Sequence, residues 1–124
     1  MAAALAFLHD GEDPSHQGTV VLHRDVKAAN ILISEDWRAK LANFSAVNTL
    51  EQMTSTQVGT PFWAAPEILN NEKYDEKVDV FSYAMSMLEI ITAAAPWAES
   101  TLSCPEIVFK AGGAGLECTR MHVI

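Results

Sequence analysis

The sequence is short of basic residues, cysteine and long apolar runs, and each shortage removes a class of function. Eight Lys and Arg stand against 16 Asp and Glu, a net charge of −8 with His neutral. Phosphate backbones are held by clustered Lys and Arg, so nucleic acid is not an expected partner, and neither is an anionic membrane surface. Cysteine occurs only as Cys104 and Cys118, with no CxxC pair. A disulfide stays open, but two reduced thiols of a cytoplasmic protein is the favoured reading. The histidines, His9, His16, His23 and His122, show no metal-ligand spacing. The apolar start MAAALAFLHDGED has no basic segment before it and runs into acids, which argues against a signal peptide. The longest nearly uncharged stretch, 80–98, carries Glu89 and is diluted by Ser82, Tyr83, Ser86, Thr92 and Pro96. It reads as a buried helix rather than a membrane span.

What is present is a 124-residue chain, 49% hydrophobic and 19% charged, with the balance of a globular protein of one domain at most. Residues 1–9 set Leu5 and Leu8 among alanines at helical spacing with no capping residue ahead. The chain is therefore expected to open inside a helix, as at a cut rather than a domain edge. A polar loop is expected over 10–18, and short strands over Val20–Leu22, Ile31–Ile33 and Ala39–Ala42. Residues 47–59, rich in Thr, Ser and Gln without a period, predict a long loop. Pro66 suits the first turn of a short helix through Asn70. A longer helix is expected from near Asp75 to about Ala93, ended by Pro96. Met85, Met87, Leu88, Ile90 and Ile91 predict its core face, and Trp37, Trp63 and Trp97 predict packing anchors. The acidic run 72–79 predicts a solvated helix start, within which burial of Asp79 is left open. Residues 111–124, with three glycines and no period, are expected to form a divergent, disordered tail.

The segment His23-Arg24-Asp25-Val26-Lys27-Ala28-Ala29-Asn30 lies between two of the expected strands. Its polar groups share a logic. An Asp can accept a hydroxyl proton, a Lys two residues on can neutralise a phosphoryl oxygen, and an Asn five residues on can offer an oxygen to Mg²⁺. HRDxKxxN fixes five letters, and a chance match in a chain this long arises roughly once in 10⁴ to 10⁵.

This segment resembles the catalytic loop of eukaryotic protein kinases, and four further matches follow in that family's order. Asn43-Phe44-Ser45 stands where the family has DFG, and Gly59-Thr60-Pro61-Phe62-Trp63 resembles its substrate-facing loop. Ala65-Pro66-Glu67 is its APE motif, and Asp79-Val80-Phe81-Ser82 resembles the opening of its buried central helix. Lys27 with Asn30, and Gly59-Thr60, resemble the serine/threonine branch, with wording similar to tyrosine-kinase-like or mixed-lineage relatives. The resemblance covers residues 1–110 and implies an α+β fold: a partial domain, the mostly helical C-lobe with short strands around the catalytic loop.

It also implies roles. Asp25 would orient and deprotonate a Ser or Thr hydroxyl of a protein substrate, Lys27 would contact the transferred phosphoryl group, and Thr60 would brace both. Asn30 and Asn43 would be the Mg²⁺ ligands. Lys27, Asn30, Leu32 and Asn43 would face ATP, with Ile31 and Ile33 beside Leu32 under the adenine ring. Arg24 would receive a phosphate on Thr56, or on Thr54 or Ser55; these hydroxyls have simple solvation as their other reading. His23, Phe44, Glu67 and Asp79 would be structural supports. Glu89 is left between a structural hydrogen bond and recognition of basic substrate residues.

Two departures bear on activity. Asn43 replaces a metal-binding Asp, and Mg²⁺ favours carboxylate, so the rate is expected to fall by about 10²–10³ or more. Ser45 adds a Cβ where the family has Gly. The 22 residues before His23 show no Gly-rich loop, VAIK-type lysine or partner Glu, and residues 111–124 show no usual partner of Glu67, so an incomplete domain is expected, and whether an N-lobe is encoded upstream is left open. A weak or inactive kinase C-lobe, a pseudokinase-like protein-binding module and a non-functional gene fragment all remain open. No feature of the sequence bears on oligomeric state.

Overall fold

The computed structural model describes residues 1–11, 18–49 and 60–98. The expected disorder of 111–124, the two cysteines, and Thr54, Ser55 and Thr56 lie outside those residues. The element order is α1 (Ala2–His9), β1 (Val21–Leu22), β2 (Ile31–Ile33), β3 (Ala39–Leu41), β4 (Asn48–Thr49), α2 (Pro66–Leu69) and α3 (Lys77–Thr92). Single 3₁₀ turns occupy Ala28–Asn30 and Phe44–Ala46. The fold is α+β.

One set of buried apolar side chains comes from α1 (Leu5, Leu8), β1 (Val21, Leu22) and the loop entry (Val26). Helix α1 packs on β1. No side chain caps the α1 N-terminus. The second group joins α2 to the start of α3, with Ala64, Ala65, Ile68 and Val78 buried and Leu69, Tyr74 and Phe81 packed against them. Full burial of a residue such as Ile68 or Val78 contributes about 1.5–3 kcal/mol. Pro66 opens α2, where its missing N–H costs nothing.

The strands form two antiparallel pairs. In β2–β3, Ile31 faces Leu41 and Ile33 faces Ala39. In β1–β4, Val21 faces Thr49 and Leu22 faces Asn48. This second pair corrects the expectation of an unbroken loop from residue 47, since Asn48 and Thr49 complete a ladder with buried Val21 and Leu22. The remainder of that expected loop, 50–59, lies outside the described residues.

Helix α3 departs most from the apolar-periodicity reading. Its buried residues are Val78, Asp79, Ser82 and Ser86, which lie along one stripe at helical spacing. Met87, Ile90 and Ile91, read as core, are exposed, as is Val80. The cause is polar. The buried face is the one from which Asp79 reaches the backbone N–H groups of His23 and Arg24, and this turns the apolar stripe away. Ser82 and Ser86 fit that close contact because each hydroxyl donates to the carbonyl one turn back, Val78 O at 3.0 Å and Ser82 O at 2.7 Å. The helix ends at Thr92, with Ala93 in the left-handed region (φ 53°), before Pro96 is reached.

Trp37 is a further correction. It sits in the β2–β3 turn with φ 59° and is 89% exposed, so it anchors no packing among the described residues. Trp63 and Trp97 are partly buried, and Trp97 Nε1–H donates to Phe62 O. Among the described residues no helix is long and apolar enough to cross a membrane.

Candidate active site

The site is assembled where the segment after β1 passes over the N-terminal end of α3. Asp79 is fully buried, and a buried carboxylate needs partners. Its Oδ2 accepts the His23 N–H at 2.8 Å and His9 Nε2–H at 2.9 Å, and its Oδ1 accepts the Arg24 N–H at 2.8 Å. One carboxylate thus clamps two successive amides, and Arg24 sits with φ 63° between them and Asp25. His23 is locked from both ring nitrogens. Nε2 faces Ala42 O at 3.0 Å and so carries the hydrogen, while Nδ1 accepts the Asp25 N–H at 3.3 Å. Phe44 stands edge-on to the His23 ring, with centroids 5.2 Å apart.

This platform presents Asp25. Lys27 Nζ lies 3.1 Å from its Oδ1 and 3.0 Å from its Oδ2. Lys27 Nζ also donates to Thr60 Oγ1 at 2.5 Å, and the Thr60 hydroxyl donates to Asp25 Oδ1 at 2.8 Å. Asn30 Nδ2 donates to both Asp25 O (2.6 Å) and Asp25 Oδ2 (2.9 Å). Burial pushes the Asp25 carboxyl up, but hydrogen bonds from Lys27, Thr60 and Asn30, with the Lys27 charge, outweigh it and hold the group below its ordinary value. Asp25 is therefore a carboxylate at neutral pH. Such a group can accept a hydroxyl proton, and the ammonium beside it can face a phosphoryl oxygen.

Glu89 secures the loop from below. Its Oε2 accepts the Ala28 N–H at 3.2 Å and Trp63 Nε1–H at 2.9 Å, tying the residue after Lys27 to the segment after Thr60. The Ser82 hydroxyl shares its one hydrogen between Val78 O and Trp63 O, the latter at 2.8 Å. His9, Ser82 and the Ala42 carbonyl have structural parts that the sequence reading missed. For His9 the available signal was the need of Asp79 for a donor.

On the far side of Asn30, Asn43 Nδ2 donates to Asn30 Oδ1 at 3.2 Å, and Ser45 Oγ–H donates to Asn43 Oδ1 at 2.8 Å. Asn43 has φ 64°, a left-handed conformation that Asn tolerates. These two amides are the donor set that the family resemblance assigns to Mg²⁺. They do not fit it: neither carries charge, and the Asn43 group that faces Asn30 Oδ1 is its NH₂, a donor, rather than an oxygen. Among the described residues no group of three or more His, Cys, Asp or Glu could hold a metal ion.

The other sequence-selected residues lie around this centre. Arg24 is buried, and its Nε donates to Ala46 O at 2.7 Å. Leu32 and Ile33 are exposed on β2. Glu67, in the first turn of α2, is away from Asp25 and borders an open depression of about 470 Å³ with Lys73, Tyr74, Asp75 and Lys77.

The sequence is similar to known proteins. The family model of the protein kinase domain matches residues 1–110. Over 98 residues, 78% of the chain, it is 42% identical to an Acanthamoeba polyphaga mimivirus protein named "Putative serine/threonine-protein kinase/receptor R826". It is 36% identical over 119 residues, 93% of the chain, to a Dictyostelium discoideum protein named "Probable serine/threonine-protein kinase drkB". It is 38% identical over 96 residues, 75% of the chain, to the serine/threonine-protein kinase SKM1 of Saccharomyces cerevisiae. The chain spans 6%, 16% and 13% of the lengths of these three relatives. With the family model matched over most of its length, the chain belongs to the protein kinase domain family.

Proposed function

We propose that this chain is the C-lobe part of a protein serine/threonine kinase domain, that it retains the substrate-hydroxyl half of the reaction, and that it transfers phosphate weakly or not at all. The observation that carries the reading is the closed set of Asp25, Lys27 and Thr60, in which one carboxylate oxygen takes the Thr60 hydroxyl at 2.8 Å and the Lys27 ammonium at 3.1 Å. In it Asp25 orients a Ser or Thr hydroxyl of a protein substrate and accepts its proton. Lys27 faces the phosphoryl oxygens supplied by ATP, and Thr60 holds the two in register. Leu32, exposed on β2, offers apolar surface to the adenine ring. Arg24 has its Nε turned to Ala46 O, and a phosphate on Thr56, Thr54 or Ser55 would meet the rest of its guanidinium. We place the protein in the cytoplasm.

The weakness of transfer follows from Asn43, which supplies a neutral amide where the reaction calls for a metal-binding carboxylate. The same feature favours a second reading, a protein-binding module built on a kinase scaffold. The test is phosphate transfer from ATP to a Ser/Thr peptide by the longest native polypeptide that carries this chain. Asn43→Asp is expected to raise the rate by about 10²–10³. Equal rates for the two proteins would overturn the reading, whereas partner binding that survives Asp25→Ala would support the scaffold.

A further inference from the structure

The failure of Asn30 and Asn43 to fit a divalent cation has a structural counterpart. Asn30 cannot turn its side chain over, because both Asp25 O and Asp25 Oδ2 take hydrogens from its Nδ2. A flipped amide would set oxygen against two oxygens. Asn30 Oδ1 therefore points away from Asp25, toward residue 43, and receives Asn43 Nδ2 at 3.2 Å. That contact in turn orients Asn43 so that its Oδ1 meets the Ser45 hydroxyl at 2.8 Å. The hydrogen bonds run in one direction, from Ser45 through Asn43 and Asn30 to Asp25, and each side-chain oxygen along the way has a donor.

We infer that Asn43 and Ser45 form a cation-independent clasp, in which an amide N–H tied to Asn30 Oδ1 takes the place of a divalent ion. A cation approaching Asn30 Oδ1 meets the hydrogens of Asn43 Nδ2, which repel it. With a carboxylate at the same position, two oxygens would face each other across the gap and a cation would be needed between them. Exchange of one oxygen for one NH₂ group thus turns a cation-requiring contact into a cation-excluding one. Ser45 is a positioning residue, acting on Asn30 through Asn43. The clasp also steadies the Phe44–Ala46 turn, whose Ala46 carbonyl holds Arg24 and whose Phe44 ring meets His23. Its significance for phosphate transfer rests on the function proposed above, but the geometry stands without it.

The test follows the side-chain NH₂ signals of Asn30 and Asn43 by NMR in the full chain, with Mn²⁺ alone as a paramagnetic probe and a chelator as reference. In the wild type the two signals are expected to be unchanged in Mg²⁺ or chelator and to escape selective broadening by Mn²⁺. In Asn43→Asp, Mn²⁺ is expected to broaden the Asn30 signal with an apparent affinity at least about tenfold higher. Ser45→Ala is expected to speed hydrogen exchange of the Asn43 NH₂ group, and Ser45→Thr to restore it. Selective broadening of the Asn30 and Asn43 signals in the wild type, beyond that of its other side-chain amides, would overturn the clasp, as would a Ser45→Ala protein with unchanged Asn43 exchange. The wild-type and Ser45 arms decide the matter even where Asn43→Asp does not fold. No arm depends on phosphate transfer, so a failure of the proposed activity is read separately.

Discussion

On one side of Asn30 stand Asp25, Lys27 and Thr60, and on the other stand Asn43 and Ser45. The first side is charged. A carboxylate and an ammonium neutralise each other at 3.0 Å and share a hydroxyl. The second side is neutral, two amides and an alcohol with no group that titrates. Both sides hang from the same loop, and Asn30 belongs to both, its NH₂ facing the charged side and its oxygen the neutral one. The difference teaches that the shape of the loop and the chemistry of the groups it presents are separable. The platform of Asp79, His9 and His23 shapes the loop without reference to what Asn30 Oδ1 faces.

The contrast can be broken most severely from beneath. Asp79→Ala removes the acceptor of two backbone amides and of His9, and leaving such buried donors unsatisfied is expected to destabilise the chain by about 3–5 kcal/mol in urea unfolding. Both sides of Asn30 should be lost together; a loss under about 1 kcal/mol would show that the platform is not shared. Glu89→Ala is a milder cut, freeing the Ala28 N–H and the Trp63 indole at an expected cost of about 1–3 kcal/mol. It should disturb Lys27 and Thr60 and leave the Asn43 NH₂ signal in place, whereas equal disturbance of both would erase the distinction.

Acid sharpens the comparison, because only the charged side responds to it. The folded Asp25 carboxyl lies below its unfolded value of 3.8, so the stability it contributes is complete above that value and is lost as pH falls through the lower folded one. The stability difference between wild type and Asp25→Asn should therefore be flat above about pH 5 and shift in favour of the variant as pH falls below 3.8. A constant difference throughout would contradict the assigned hydrogen bonds. The smallest effect is expected at Trp37, where 89% exposure predicts that Trp37→Ala changes stability by no more than about 0.5 kcal/mol, measured in the same unfolding assay.

Much of this was legible in the sequence, but unevenly. The strands Ile31–Ile33 and Ala39–Leu41 are compact apolar runs bounded by turn residues, and they pair with each other. The ladder of Val21–Leu22 with Asn48–Thr49 was half hidden, because its second strand is two residues long and polar. Helix α3 was readable in extent and misread in orientation. Periodicity ranks apolar residues as buried, whereas Asp79, Ser82 and Ser86 are buried by the hydrogen bonds they make. At the site, the spacing of Asp25, Lys27 and Asn30 predicted that these side chains act together, and they do meet. What stayed hidden was relational: which nitrogen of Asn43 meets which oxygen of Asn30, and that His9 completes Asp79 from 70 residues away.

The most direct test of the account is the rate of phosphate transfer from ATP by the longest native polypeptide carrying this chain, measured for wild type, Asp25→Asn, Asn43→Asp and the double variant. If the charged side is intact beside Asn43, Asp25→Asn lowers the rate by about 10²–10⁴ in both the wild-type and the Asn43→Asp backgrounds, by a similar factor in each. A wild-type transfer rate indifferent to Asp25→Asn would contradict it, because the charged side would then contribute nothing beside Asn43.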